Sequence, residues 1–323
     1  MEGKSRKPAL LGLLSPPQTG YNRAFPMRYL PAHAQHIGAR HYQQDSIGLA
    51  DPEDHAFLAH GGFLAVLCDG MGGMEHGDVA SQTAVRAIRE AYAQKLPAES
   101  IPAALERAAR KANEQVIAAA LNLGLKEGVG TTLVAAVLHN GYLYFVSVGD
   151  SAIYHVRGGD IHMVNRPHVF ANLLDQAADR GQISRSEAAQ HPERESLTSF
   201  IGIHDLHEID LNTEPRPVAA GETILLASDG LFKTLDSAEI LECLKGHPQS
   251  WPQALVARTL DRRHPGQDNV SVVSVTLDSG SLGEFVPAQP VVKLSAGKVW
   301  LLSVLFLLLL AVVFAGGWYF SRR

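Results

Sequence analysis

Cysteine is nearly absent: the 323 residues hold two, Cys68 and Cys243, far apart. No disulfide framework follows from such a pair, so a reducing compartment is the expected setting. An excess of either charge is also lacking. The formal net charge of −5 removes any electrostatic case for nucleic-acid binding. The fifteen histidines show no zinc-ligand spacing. There is no internal repeat and no low-complexity run, which excludes repeat architectures. Near the start, the apolar piece Ala9 to Leu14 is too short for a secretory signal. What remains is ordinary globular composition, 46% hydrophobic and 19% charged, with room for a large core.

Long hydrophobic runs are missing too, with one exception. Val299 to Phe320 gives 22 residues without a charge, enough to cross a bilayer core as a helix. Trp300 at one end and Trp318-Tyr319 at the other suit interfacial belts. The flanking Lys293, Lys298, Arg322 and Arg323 are nearly balanced and do not orient it. The expected layout is a flexible segment over 1–26, a globular domain over 27–278 and a linker over 279–297. A transmembrane helix over 298–320 and a basic tail over 321–323 complete it. With the reducing character of the rest, this predicts a single pass through the inner membrane with the domain in the cytoplasm.

The globular part is organised around Phe63 to Gly73. Phe63-Leu64-Ala65-Val66-Leu67-Cys68 reads as a buried strand that delivers Asp69 into the loop Gly70-Met71-Gly72-Gly73. A carboxylate at a strand end is held on one side and open on the other, which suits a metal ligand. Glycines beside it let backbone approach and free a carbonyl as a further oxygen ligand. Alone, the stretch reads equally well as a Gly-rich turn whose Asp caps the next helix. Three more aspartates share the placement: Asp150 after Tyr142 to Val148, Asp229 after Thr223 to Ser228, and Asp268 before Val270 to Val275.

Between them, apolar spacing predicts helices over Gly77 to Leu96 and Ile101 to Leu123. A strand is expected from Gly130 to Leu138, turned by Asn140-Gly141. Pro52 to Gly62 reads as a hairpin loop and His204 to Asp210 as a strand. Asn165 to Ile201 is polar and irregular with two short helices, a candidate flap over a site. Strands in meanders with helices grouped between them predict an α+β fold.

The ordered set Arg40 to Asp45, Asp69-Gly70-Met71-Gly72-Gly73, Gly130-Thr131-Thr132, Gly149-Asp150-Ser151, Ser228-Asp229-Gly230-Leu231 and Asp268-Asn269 resembles the metal-dependent protein phosphatases of the protein phosphatase 2C family, in bacterial form. The resemblance covers about Tyr29 to Leu277. It implies two antiparallel sheets packed face to face with helix pairs outside. It also implies two Mn²⁺ or Mg²⁺ ions, hard cations that favour oxygen ligands. Asp69 would bridge the two ions, Asp229 and Asp268 would complete the shell of one, and the Gly70 carbonyl would bind the other. Asp45 would orient metal-bound waters, and Arg40 would grip the substrate phosphate. Asp150 matches a position that binds a third, weaker metal in bacterial relatives.

Departures stand at Gln44, often acidic in the family, and at Lys233, often aspartate, where an ammonium would repel a third metal. Met71 cannot serve as a general acid, and His76 reads as a surface helix-start residue. The function implied is hydrolysis of phosphoserine and phosphothreonine on proteins, substrates of a Ser/Thr kinase, by a metal-activated water and with no covalent phosphoenzyme. The alternative is a catalytically weak phosphoprotein-binding or regulatory module on the same fold.

Overall fold

The computed structural model describes residues 28–71, 76–125 and 129–278. Strand β1 (Arg28–His36) leads through a loop into β2 (Asp45–Leu49). The expected hairpin loop after it instead holds a short helix, α1 (His55–Gly61). Asp54 starts that helix by accepting from the Phe57 N–H at 3.1 Å, satisfying an end donor that would otherwise be orphaned. Next come β3 (Phe63–Met71) and the helix pair α2 (Gly77–Ala93) and α3 (Ile101–Asn122).

The strand expected from Gly130 is interrupted at Thr132, giving β4 (Gly130–Thr131) and β5 (Leu133–His139). Asn140 and Gly141 take φ of 51° and 77°, the mirror-image turn that suits a tight hairpin, and return the chain as β6 (Tyr142–Val148). Strands β7 (Ala152–Arg157) and β8 (Asp160–Met163) form the next hairpin. The irregular segment carries α4 (Phe170–Asp179) and α5 (Arg185–Gln190).

The strand expected over His204 to Asp210 does not form; only β9 (Asp210–Leu211) pairs there. Ile203, Leu206 and Ile209 recur every third position and all pack into one core, which a period-two strand cannot do. The described residues finish with β10 (Arg216–Pro217), β11 (Thr223–Ala227), α6 (Asp229–Phe232), α7 (Ser237–Cys243), α8 (Trp251–Asp261) and β12 (Val270–Asp278).

Two sheets result, and their strand pairings are antiparallel throughout. One runs β1-β12-β11-β7-β8; the other holds seven strands, β10-β6-β5-β3-β2 with β4 beside β3 and β9 beside β6. Strand alternation explains the layers. Phe63, Ala65 and Leu67 of β3 point into the core between the sheets, with Ile224 and Leu226 of β11 and Val273 of β12 opposite. Leu64, Val66 and Cys68 point the other way, under α2 and α3. Leu225, Ala227, Val270 and Val272 build a third core against Leu235, Ile240 and Leu255 from the last helices and the turn before them. The order is therefore helices, sheet, sheet, helices, as expected from strands apolar on both faces.

One bond in this frame offers a direct test. The buried Tyr92 of α2 donates its hydroxyl to the Gly61 carbonyl at 2.6 Å, tying α2 to the end of α1. Tyr92→Phe is expected to cost about 1–2 kcal/mol, because the carbonyl is left without that partner. A shift in urea midpoint at unchanged slope would show it.

The expected segment over 1–26, the linker over 279–297, the span over 298–320 and the tail over 321–323 lie outside the described residues, as do Gly72 and Gly73. No helix among the described residues is long and apolar enough to cross a membrane.

Candidate active site

Antiparallel order brings the singled-out aspartates to one edge of the sandwich. Strands β3, β6 and β11 end there, and β2, β7 and β12 begin there. Asp45 opens β2 directly opposite Asp69 near the end of β3. Asp150 lies in the β6–β7 turn, Asp229 opens α6, and Asp268 precedes β12. Asp69, Asp150, Asp229 and Asp268 line a polar cleft of about 300 Å³ with Arg40, Gln44, Gly70, Thr132, Glu195 and Lys233. Larger grooves occur, one of about 760 Å³ between α2 and α3, but its Arg and Glu lining brings no comparable carboxylate set together.

The cleft is electrostatically uncomfortable without added positive charge. Burial pushes the Asp69 carboxyl well above the usual range, and the charges of Asp45, Asp229, Asp150 and Asp268 push it further. Burial raises Asp45 to about 6, offset in part by the Ser271 and Ser228 hydroxyls. Burial also raises Asp150 to about 6, with Asp229 adding to the effect and Lys233 opposing it. Two basic side chains answer this charge. Arg40 meets Asp268 Oδ2 at 2.6 Å. Lys233 meets Asp229 Oδ2 at 2.6 Å and stands 3.8 Å from Asp150 Oδ2. Among the described residues no three of His, Cys, Asp and Glu converge closely enough to hold an ion in this arrangement.

Residues that carry no charge hold the aspartates in place. Thr131 Oγ1 and the Thr132 N–H both donate to the Asp69 carbonyl at 2.8 Å, and the Asp69 N–H donates to Thr132 Oγ1 at 3.0 Å. The interruption at Thr132 is thus what anchors Asp69. Ser228 donates to Asp45 Oδ2 at 2.9 Å, while Asp45 Oδ1 is buried with no hydrogen-bond partner. Asn269 fastens the Arg40 loop: it accepts from the Gln44 N–H at 2.7 Å and donates to the carbonyls of Ile37 and Tyr42 at 2.9 and 3.1 Å. His168, kept neutral by burial, accepts from the Gly149 N–H at 3.1 Å and so sets the turn that carries Asp150. Of these braces, Thr131, Thr132, Ser228 and Asn269 fall inside motifs that stand out in the sequence. Nothing there pointed to Ser228 as a partner of Asp45, or to His168.

Three glycines allow the loops to close. A Cβ on Gly70 would fall 2.1 Å from the Gly77 carbonyl oxygen, and one on Gly230 would fall 2.0 Å from that of Asn269. Gly38, at φ of +64°, would place a Cβ 2.2 Å from the Asp268 carbonyl oxygen. The Gly70 carbonyl, expected as a metal ligand, abuts Gly77 at the start of α2. The irregular segment does reach the cleft, where Glu195 and Leu197 form part of the lining. It is braced internally by the Arg194–Asp175 ion pair at 2.9 Å and moored to the sheet by the reciprocal backbone bonds of Ile201 with Thr131 and by the Arg166 N–H donating to Asp210 Oδ2 at 2.7 Å. His76 does not line the cleft.

The cleft residues fit a divalent metal centre in donor chemistry. The donors are carboxylates and a backbone carbonyl, the hard oxygen set that Mn²⁺ and Mg²⁺ favour. The unpartnered, buried Asp45 Oδ1 is an acceptor awaiting a donor, as an ion-bound water would be. Each oxygen engaged by Arg40 or Lys233 retains a further lone pair.

A sandwich of two antiparallel sheets with a carboxylate cleft at one edge defines a class, and the comparisons with known proteins agree on which. The family model described as protein phosphatase 2C matches residues 34–263, and the chain belongs to that family. It is a protein phosphatase. The serine/threonine phosphatase stp of Listeria innocua is 30% identical over 239 residues, 73% of this chain and 90% of the relative. The structure of PppA of Pseudomonas aeruginosa, described as a key regulatory component of T6SS, superposes with a TM-score of 0.61. It shares 29% identity and covers 77% of this chain and 98% of that one. The catalytic domain of the serine threonine protein phosphatase PstP, solved with two manganese ions, gives a TM-score of 0.61 at 27% identity. That match covers 78% of this chain and 99% of the other.

Proposed function

We propose that this phosphatase hydrolyses phosphoserine and phosphothreonine with two Mn²⁺ or Mg²⁺ ions held in the strand-edge cleft, and that residues 298–320 tether it to the membrane. The observation that carries the metal reading is the half-buried Asp69, surrounded by Asp45, Asp150, Asp229 and Asp268, whose mutual repulsion calls for added cations. Asp69, Asp229, Asp268 and the Gly70 carbonyl would hold the ions. Bound there, the ions would acidify a water and neutralise phosphoryl oxygens.

The side chains divide the remaining work. Arg40 stands at the exposed mouth, and its planar guanidinium can trade Asp268 for two oxygens of an incoming phosphate. Asn269 restricts the Arg40 loop, so the ordering cost is met before substrate arrives. Asp45 does not line the cleft itself; paired opposite Asp69 and held through Ser228, it keeps a buried Oδ1 that would accept a proton-bearing group behind Asp69. The hydroxyl among the described lining residues, Thr132 Oγ1, is engaged by the Asp69 N–H and the Ser151 hydroxyl, which supports direct attack by water.

The test is phosphate release from a phosphothreonine peptide. Turnover is expected with Mn²⁺ or Mg²⁺ and loss to background with excess chelator, recovered on adding metal back. Turnover unaffected by chelator would sink the metal reading. The tether has its own test. Removing residues after 297 is expected to move the protein from the membrane fraction to the soluble one and to leave hydrolysis of a small phosphoester unchanged. Tethering would raise the effective concentration toward phosphoproteins at the same surface. Phosphoproteins made by a membrane-associated Ser/Thr kinase are therefore the expected substrates.

A further inference from the structure

Lys233 is the one lining residue of the cleft that brings positive charge to the Asp150 end, and its position is built rather than incidental. It follows Asp229 by four residues, across the single turn of α6, and its N–H donates to the Asp229 carbonyl at 2.9 Å. That spacing puts both side chains on one face. The ammonium then reaches Asp229 Oδ2 at 2.6 Å and stands 3.8 Å from Asp150 Oδ2. Glu195 closes the same corner from the overlying segment.

We propose that the Lys233 ammonium is a resident cation of this phosphatase, occupying the corner between Asp150 and Asp229, so that the chain takes up two divalent ions and no third. This rests on the two-metal reading given above. Charge balance supports it. Asp45, Asp69, Asp150, Asp229, Asp268 and Glu195 bring six negative charges to the cleft and its back wall when ionised. Two divalent ions with Arg40 and Lys233 match them. A third divalent ion would leave the cleft positive and would have to displace an ammonium already paired with Asp229. Asp150 is free of any other basic partner among the described residues, so its role is to hold Lys233 rather than a metal. The ion pair on Asp229 Oδ2 leaves Oδ1 for a metal.

The experiment counts Mn²⁺ bound per chain by titration calorimetry and equilibrium dialysis, without substrate, on the full chain in detergent. Wild type is expected to bind two ions, and Asp150→Asn to leave the count at two. Lys233→Asp and Lys233→Met are expected to raise the count to three, and adding Asp150→Asn to Lys233→Asp to return it to two. A third ion in wild type, lost in Asp150→Asn, would overturn the proposal. So would two ions in both Lys233 variants with melting temperatures retained. A wild type that binds none would remove the two-metal reading itself, and this inference with it.

Discussion

Asp69→Asn is expected to cut phosphothreonine turnover by at least about 10³-fold while leaving the fold as stable as before or more so. About 4 kcal/mol of transition-state stabilisation corresponds to that loss, in the range seen when a centrally placed electrostatic group is removed. Stability should move the other way for a reason visible in the cleft. The Asp69 carboxyl is raised first by burial and then by four neighbouring carboxylates, so its ionised form opposes folding when no metal is bound. An amide of the same shape carries no charge and removes both terms. The diagnostic is therefore a pair of measurements on metal-free protein: melting temperature level or raised, and activity absent after metal is restored. A variant that melts well below wild type would point to a packing role for Asp69 and against its place at the centre of the reaction.

Gly230→Ala is expected to destabilise the protein by about 3 kcal/mol or more, against the usual sign. Alanine in a helix normally gains about 1 kcal/mol over glycine. Here Gly230 lies in α6, and its Cβ would fall 2.0 Å from the Asn269 carbonyl oxygen, a backbone atom with no rotamer to escape into. Relief requires moving α6 or the loop before β12, and these carry Asp229 and Asp268. Activity should fall more steeply than stability. Gly266→Ala is the control: a Cβ there would meet nothing nearer than the His264 ring at 3.8 Å, and less than about 1 kcal/mol of change is expected. Chemical denaturation of the two variants side by side would decide it. Equal midpoints would mean that the close approach at Gly230 does not constrain the site.

The sequence was most legible where strand chemistry is repetitive. Runs such as Phe63 to Cys68 and Leu133 to Leu138 announce strands buried on both faces, and each aspartate that ends or begins one could be assigned to an edge. That all of them share the same edge follows from antiparallel order. Helix α1 was less legible, because seven residues are too few for a periodic signal and Pro52, Glu53 and Asp54 look like a turn. His204 to Asp210 has the apolar content of a strand, but its apolar residues are spaced by three. Least legible were contacts across large sequence distances. Nothing near Ser228 shows that its hydroxyl serves Asp45, and nothing near Arg40 shows that it rests on Asp268. Lys233 stood out as a misfit residue. Its spacing to Asp229 was readable, but its approach to Asp150 required the fold.

The pairing of β1 with β12 along nine residues, Arg28 with Asp278 through to His36 with Val270, has a consequence for how the enzyme comes into being. Asp268 and Asn269 stand just before β12, yet Asn269 locks the Arg40 loop that was translated long before it. Such non-local closure is slow and comes late in folding. A nascent chain emerging from the ribosome can build the hairpins β5–β6 and β7–β8 early, but its cleft is incomplete until Asp268 and β12 are released. Chains terminated or clipped before that strand lack Asp268 and the Asn269 lock on the Arg40 loop, and are therefore expected to be inactive.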